Sequence, residues 1–310
     1  MRPDAFGMAE PVSIEGSATS YFSQPEAELD PRLFVGHTLK SSVRNGLLRV
    51  LFNFLNEKYR HPDLWCHTWI AGSGVSYQWS AARDPGDLDV LIGVDYIQFR
   101  KANPEYMGLS DTEISKMLNE EFRNELQPDT ANWDGFEVTF YVNPGATDIR
   151  TINPYAAYDL THDEWTVSPQ AVGAPHNAAW EAQAQRDRSM AVDIVTRYSQ
   201  ALTDLHGAQN DAARRNAEIR MQSSLSQASA LYEDIHQSRR FAFSSQGKGY
   251  SDFYNYRWQA GKKLGTVPSL RRLHEYNQSV SESVAKQTYG IELPDTRTLI
   301  RRAATYRSHG

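Results

Sequence analysis

The sequence lacks most of the features that mark secreted and membrane proteins. Cys66 is the only cysteine among 310 residues, so an internal disulfide is impossible and a cysteine-rich zinc module is excluded. No apolar run approaches the ~18 residues that a membrane-spanning helix needs, and the polar stretch 1–16 has no apolar segment that resembles a signal sequence. We therefore expect a cytoplasmic protein that does not associate with membranes.

Several common ligand-binding patterns are missing as well. The segment Gly247-Lys248-Gly249 lacks the spacing G-x-x-x-x-G-K-[ST], so it is not a P-loop. The nine histidines are scattered, with no H-E-x-x-H motif and no close pair, which argues against a zinc site. Cys66 lies within a β-prone run and is interpreted as a small core residue.

Charge is distributed unevenly along the chain. Residues 239–310 contain 13 lysines and arginines against five acids, a balance of +8, whereas the remainder carries 19 against 33, a balance of -14. A basic C-terminal quarter on an acidic body suggests an anionic partner such as RNA, DNA or a triphosphate. The alternative is that the two parts of the chain attract each other.

The hydrophobic periodicity predicts an α+β protein. Apolar residues at helical or alternating spacing indicate the following order: a helix over 38–59, strands over 64–71 and 87–94, a helix over 110–126 opened by a Ser110/Glu113 capping box, and a strand over 136–142. An irregular stretch 151–176 precedes long helices over 178–240, broken near 206–211, and two shorter helices over 268–287 and 295–307.

This order predicts a small mixed sheet with flanking helices, followed by an all-helical C-terminal domain. We divide the chain into a flexible N-terminal arm over 1–36, a sheet domain over 37–176 and a helical, basic domain over 177–310.

Three features combine into a candidate site. Gly72-Ser73 follows the first β-prone run, Asp87-x-Asp89 opens the next strand, and Glu137 lies in the strand FEVTFYV. Residues i and i+2 of a strand point to one face, so Asp87 and Asp89 project side by side. Adjacent carboxylates repel each other, and a divalent cation reverses that cost. Mg²⁺ or Mn²⁺ held by Asp87, Asp89 and Glu137 is therefore predicted.

These residues resemble the signature of the nucleotidyltransferase superfamily, whose members include polymerase β, antibiotic nucleotidyltransferases, tRNA-terminal nucleotidyltransferases and oligoadenylate-type synthases. The superfamily pattern is hG[GS], then Dh[DE]h after nine to thirteen residues, then a third acid on a later strand. It maps onto Ala71-Gly72-Ser73, Asp87-Leu88-Asp89-Val90 and Glu137, within residues 38–142. The resemblance implies a palm-like sheet and two-metal transfer of a nucleoside monophosphate from an NTP such as ATP.

Other residues are assigned supporting roles. Gly72 and Ser73 are expected to cradle the phosphates, through close backbone approach and through N–H and hydroxyl donors. Four basic residues are expected to counter triphosphate charge: Lys248, Arg257, Lys262 and Lys263. Aromatic residues between them suit a nucleic-acid surface, although an ordinary amphipathic helix fits equally.

The acceptor is left with several alternatives. The basic region 239–310 favours RNA, such as a tRNA end, or DNA. A small molecule, a protein side chain or a second nucleotide remains open, as do a toxin-like role and a non-catalytic nucleic-acid-binding scaffold. Asp134 is interpreted as a turn residue rather than a ligand, and Tyr155, Tyr158 and Trp165 as packing residues rather than a base pocket.

Overall fold

The computed structural model describes residues 10–16, 25–80, 85–143, 148–173, 175 and 177–289, with side chains as far as residue 281. The chain folds into two compact units. Within the described residues, the sheet unit comprises 25–80, 85–143, 148–173 and 243–249, and the helical unit comprises 10–16, 175, 177–242 and 250–289.

The sheet unit contains seven strands and four α-helices among its described residues. In chain order they are β1 (Phe34–Val35), β2 (Thr38–Leu39), α1 (Ser41–Lys58), β3 (Cys66–Ala71), β4 (Gly86–Val94), α2 (Tyr96–Ala102), α3 (Asp111–Glu121), α4 (Gln127–Thr130), β5 (Phe136–Val142), β6 (Ala157–Asp159) and β7 (Glu164–Val167). A π-helical segment, Phe122–Leu126, joins α3 to α4. The capping box at Ser110 and Glu113 is confirmed.

The main sheet has the strand order β5-β4-β3-β6-β7. The pair β4–β5 is parallel, whereas β3–β4, β3–β6 and β6–β7 are antiparallel, so the sheet is mixed as predicted. Parallel neighbours need a crossover connection, and α2, α3 and α4 supply it between β4 and β5. This crossover places Glu137 beside the strand of Asp87.

The two faces of the main sheet differ. One face packs into the principal core, to which β4 and β5 contribute Leu88, Val90, Val138 and Phe140. The other face carries a smaller apolar cluster that includes Trp69. Because strand side chains alternate, the residues between the core positions of β4 and β5 lie on this second face. Cys66 belongs to the principal core, where burial raises the pKa of its thiol to about 12. Cys66 is therefore a core residue, as predicted, and its raised pKa makes the thiol unreactive.

The helical unit consists of four helices within the described residues: α5 (Ala178–His206), α6 (Asp211–Ala242), α7 (Phe253–Lys263) and α8 (Thr266–Tyr289). Asn177 begins α5 by accepting hydrogen bonds from the N–H groups of Ala179 and Trp180. Buried residues that recur at helical spacing form the core of this unit, for example Ile194, Tyr198 and Leu202 on α5. No helix in the described part of the chain is long and apolar enough to cross a membrane.

The α+β class and most of the predicted elements are confirmed. The two long helices break at Gly207, inside the predicted interval, and α8 begins two residues before its predicted start. The prediction of an irregular 151–176 was wrong in part, because β6 and β7 lie there. These strands have three and four residues, too short to show a clear period in the sequence. The helix predicted over 295–307 lies outside the described residues.

The stretch 25–36, inside the predicted N-terminal arm, contributes to the principal core. Leu29, Leu33 and Phe34 are all at most 4 % exposed. Phe34 stacks on Trp165 with ring centroids 5.4 Å apart, and Trp165 also meets Tyr158 edge to face. Tyr158 and Trp165 are thus packing residues, as predicted.

Candidate metal and nucleotide site

The pairing of β4 with β5 places the three predicted carboxylates on one face of the sheet. Asp87 lies directly opposite Glu137, and Asp89 lies opposite Thr139. Opposed residues of neighbouring strands have backbones ~4.8 Å apart and point to the same face. Leu88 and Val138 between them are fully buried on the other face, so the pattern of burial fixes the direction of the acids.

A glycine turn lies directly against the two aspartates. Ala71 pairs with Asp89 at the end of β3, and Gly72 follows with φ 90° and ψ -161°. A Cβ atom on Gly72 would lie 2.8 Å from Oδ2 of Asp89. A Cβ atom on Gly74 would collide with the carbonyl oxygen of Asp87. Glycine is therefore required at both positions, since backbone and carboxylates occupy the space where side chains would stand.

The hydrogen bonds of this turn modify one prediction. The N–H of Gly72 donates to the carbonyl oxygen of Ala156 at 3.2 Å, so it is not directed at a phosphate. The carbonyl of Ser73 accepts from the N–H of Ser76 at 3.1 Å and from the Ser76 hydroxyl at 3.0 Å. Gly72 thus contributes close approach rather than a donor. The Ser73 hydroxyl remains a predicted phosphate ligand.

The donor set suits a hard cation. Asp87, Asp89 and Glu137 are half-buried and supply only oxygen ligands, which Mg²⁺ and Mn²⁺ prefer. In the described structure, however, the oxygen atoms of these three carboxylates do not all lie within 4.8 Å of one another. To bind one shared ion, at least one of the three side chains would therefore have to move its carboxylate closer to the others.

Asp134 adopts the turn conformation that was predicted for it. Asp134 and Gly135 both have positive φ, 51° and 81°, and Trp133 and Phe136 exchange backbone hydrogen bonds across them. Asp-Gly with positive φ at both positions is typical of a type I′ turn. The turn leads into β5 and so sets the position of Glu137.

The four predicted phosphate-binding basic residues are divided between the two units. Lys248 is exposed in the sheet unit, whereas Arg257, Lys262 and Lys263 belong to α7 of the helical unit. Lys262 lies over the ring of Trp258, with its Nζ 5.7 Å from the centroid. Lys263 is exposed at the end of α7.

Arg257 is bound by two carboxylates of the helical unit. Its Nε and Nη2 donate to the two carboxylate oxygens of Asp187 at 2.6 and 3.0 Å, and its Nη1 donates to Asp234 at 2.6 Å. Burial alone would lower the pKa of Arg257, but the hydrogen bonds and charges of Asp187 and Asp234 outweigh it and raise the pKa. The positive charge of Arg257 is thus compensated by two carboxylates inside the helical unit, which argues against the predicted phosphate contact.

A second cluster on the sheet escaped the sequence prediction. His67 Nε2 is hydrogen-bonded to Oδ2 of Asp159 at 2.7 Å, and His162 Nδ1 to the same oxygen at 3.0 Å. His67 lies on β3 and Asp159 on β6, and the pairing of these strands brings them together. The one local signal was the spacing D-x-x-H from Asp159 to His162. The other imidazole, that of His67, lies on β3, which is distant in sequence from Asp159.

The charges within this cluster support one another. Burial alone would raise the pKa of Asp159, but hydrogen bonds from His162 and His67 outweigh it and lower the pKa. The hydrogen bond to Asp159 raises the pKa of His162. Asp159 is therefore held as a carboxylate between two imidazoles.

Replacing Gly72 with alanine is expected to destabilise the sheet unit by about 1–3 kcal/mol, because this combination of φ and ψ is essentially restricted to glycine. The collision with Asp89 adds to that cost. Chemical denaturation of the wild type and the variant measures the difference in free energy of unfolding.

Two control glycines separate strain from collision. Gly36 has φ 60°, but beyond its two chain neighbours no atom of the described residues lies within 4 Å of the position that a Cβ would take, so Gly36→Ala is expected to report backbone strain alone. Gly173 has no positive φ, and beyond its chain neighbours no described atom lies within 4 Å of the position of its Cβ, so Gly173→Ala is expected to have little effect. A Gly72→Ala variant no less stable than Gly36→Ala would contradict the close contact with Asp89.

Comparison of the chain with protein-family models, with curated proteins and with solved structures found no match. Any inference about function therefore starts from the side chains themselves.

Proposed function

We propose that the protein is a metal-dependent nucleotidyltransferase, which moves a nucleoside monophosphate from an NTP to an acceptor hydroxyl. One observation carries the proposal: Asp87 lies opposite Glu137 on adjacent strands while the Gly72–Gly74 turn contacts the backbone and side chains of the Asp87/Asp89 strand. A scaffold without catalysis has no need to hold three acids and a glycine turn together. On this proposal the sheet unit is a nucleotidyltransferase palm.

The carboxylates have distinct proposed roles. Asp87 and Asp89 would hold Mg²⁺ or Mn²⁺ for the triphosphate, and Glu137 would share an ion on the acceptor side. Such ions supply Lewis-acid stabilisation of the charge that develops during phosphoryl transfer. Glu137 would also accept the proton of the acceptor hydroxyl. The Gly72–Ser73 turn would let the phosphates approach the backbone, with the Ser73 hydroxyl as a donor.

Nucleic acid is the proposed acceptor, and RNA is preferred. Support comes from the balance of +8 over residues 239–310. Part of this charge is offset by acids outside residues 239–310, since Arg257 pairs with Asp187 and with Asp234. Five of the 13 basic residues belong to the part of the chain whose side chains are not described: Lys286, Arg297, Arg301, Arg302 and Arg307.

The proposal is tested by incubating the protein with each α-labelled NTP and Mg²⁺ or Mn²⁺, alone and with total tRNA or single-stranded DNA. We expect metal-dependent pyrophosphate release and label in the RNA fraction. Label in short oligonucleotides without added nucleic acid would instead identify a second nucleotide as the acceptor. Absence of pyrophosphate release with every NTP, metal and acceptor would contradict nucleotidyl transfer.

A further inference from the structure

We propose that His67, Asp159 and His162 form a binding site for Zn²⁺ or a similar first-row divalent cation, separate from the carboxylates of Asp87, Asp89 and Glu137. Two imidazole nitrogens and one carboxylate oxygen, all within 4.8 Å of one another, make up the donor set. Two histidines and one carboxylate are a recurring ligand set for zinc and for other first-row metals.

The donor distances are close to those that an ion would impose. Tetrahedral zinc with bonds of ~2.0–2.1 Å keeps its ligand atoms about 3.3 Å apart. The two nitrogens lie 2.7 and 3.0 Å from Oδ2 of Asp159, so each needs to move away from that oxygen by only a few tenths of an ångström, and they lie within 4.8 Å of each other. The His67 and His162 side chains are 32 % and 60 % exposed and have room for this shift.

The carboxylate is held in place by the backbone of the β6–β7 turn. Oδ1 of Asp159 accepts hydrogen bonds from the N–H groups of Thr161 at 2.8 Å and His162 at 2.9 Å. These bonds leave Oδ2 facing the two rings, and the Asp159 side chain is only 6 % exposed. Outer contacts that fix the direction of a ligand are typical of metal sites.

The imidazole of His67 is also positioned by packing. Its ring stacks on Trp69, with centroids 4.0 Å apart and planes 15° from parallel. The nearby cation Arg150 is paired with Asp148 at 2.5 Å, so its positive charge is offset. On one side the cluster rests on the buried residues Asp159 and Trp69. On the other side His162 is exposed, so a bound ion could also take water or an external ligand.

This cluster lies apart from the Asp87/Asp89 pair on the same face. Asp89 is opposite Ala71, four residues along β3 from His67, a distance of ~13 Å at the rise of a strand. One ion cannot bridge the two sets. Their chemistry differs as well, since nitrogen ligands select transition metals and carboxylates alone favour Mg²⁺ or Mn²⁺.

The test is a titration of the chelator-treated full chain with Zn²⁺ by calorimetry and with Co²⁺ by visible absorption. An Asp87→Asn plus Asp89→Asn background removes zinc binding by those carboxylates. In that background we expect one saturable site with a tetrahedral-type Co²⁺ spectrum. His162→Gln and His67→Gln are each expected to weaken zinc binding by about tenfold or more.

His37→Gln serves as the matched control, because His37 is an exposed histidine of the same unit that lies outside the cluster. It is expected to leave zinc affinity unchanged. Thermal unfolding of each variant, with and without Zn²⁺, confirms that the protein is folded and reports stabilisation by the ion. Absence of saturable binding in the background protein, or equal affinity in His162→Gln, would show that the cluster is only a hydrogen-bonded support for the β6–β7 turn.

Discussion

Replacing both Asp87 and Asp89 with asparagine is expected to lower the rate of nucleotidyl transfer by ~10³-fold or more, equivalent to about 4 kcal/mol of transition-state stabilisation. Asparagine preserves the size of each side chain and therefore the contact with the Gly72 turn. What it removes is the negative charge that would hold the ions. Initial rates of label transfer, measured over a range of Mg²⁺ and Mn²⁺ concentrations, give the size of the effect.

The control for this experiment is Asp129→Asn. Asp129 is an exposed aspartate of the same unit, in the first turn of α4, and its replacement is expected to leave the rate unchanged. Both proteins are first shown to unfold at the same denaturant concentration, so that a loss of rate cannot come from misfolding. Transfer by the double variant at more than a tenth of the wild-type rate would remove these carboxylates from the proposed site.

The largest effect on stability is expected at Asp187. Its carboxylate is 4 % exposed and binds the buried guanidinium of Arg257 through both oxygens. Asp187→Asn would leave that buried charge poorly compensated, and removal of one partner of a buried pair costs about 3–5 kcal/mol. Urea unfolding of the full chain, followed by far-ultraviolet circular dichroism, measures the loss.

Asp234→Asn supplies a control on the same guanidinium. Asp234 accepts from Nη1 of Arg257, but its side chain is 58 % exposed, so water screens the pair. We expect this variant to lose about 1 kcal/mol or less. Equal losses at Asp187 and Asp234 would mean that burial does not control this ion pair. A loss below about 1 kcal/mol at both positions would mean that Arg257 is not held as described.

Local patterns predicted the parts of the sheet unit that depend on neighbours in sequence. Alternation in FEVTFYV indicated the strand and the outward direction of Glu137, and the spacing Asp87-x-Asp89 indicated a shared face. Both predictions rest on the alternation of side chains along a strand, which can be recognised from two or three consecutive residues. The short strands β6 and β7 could not be predicted in this way, because three or four residues show no clear period and the other partner of β6 is the distant strand β3.

Long-range pairing also explains which contacts at the sites could not be predicted from the sequence. Arg257 looked like a phosphate ligand because its local surroundings are basic and aromatic, whereas its partner Asp187 lies 70 positions away. His67 and His162 looked unrelated, although β3 and β6 bring them to one carboxylate. A sequence shows which residues can carry a charge or bind a metal. It does not show which opposite charge or second ligand the fold will bring to them.

The parallel pairing of β4 with β5 also has a consequence for the order in which the molecule assembles. The glycine turn and the two aspartates belong to one antiparallel pair of strands that are close in sequence, and such local contacts form at a small cost in chain entropy. Glu137 joins them only after the crossover through α2, α3 and α4 has closed a long loop. We therefore expect the contacts between the glycine turn and the two aspartates to form during folding before Glu137 joins them.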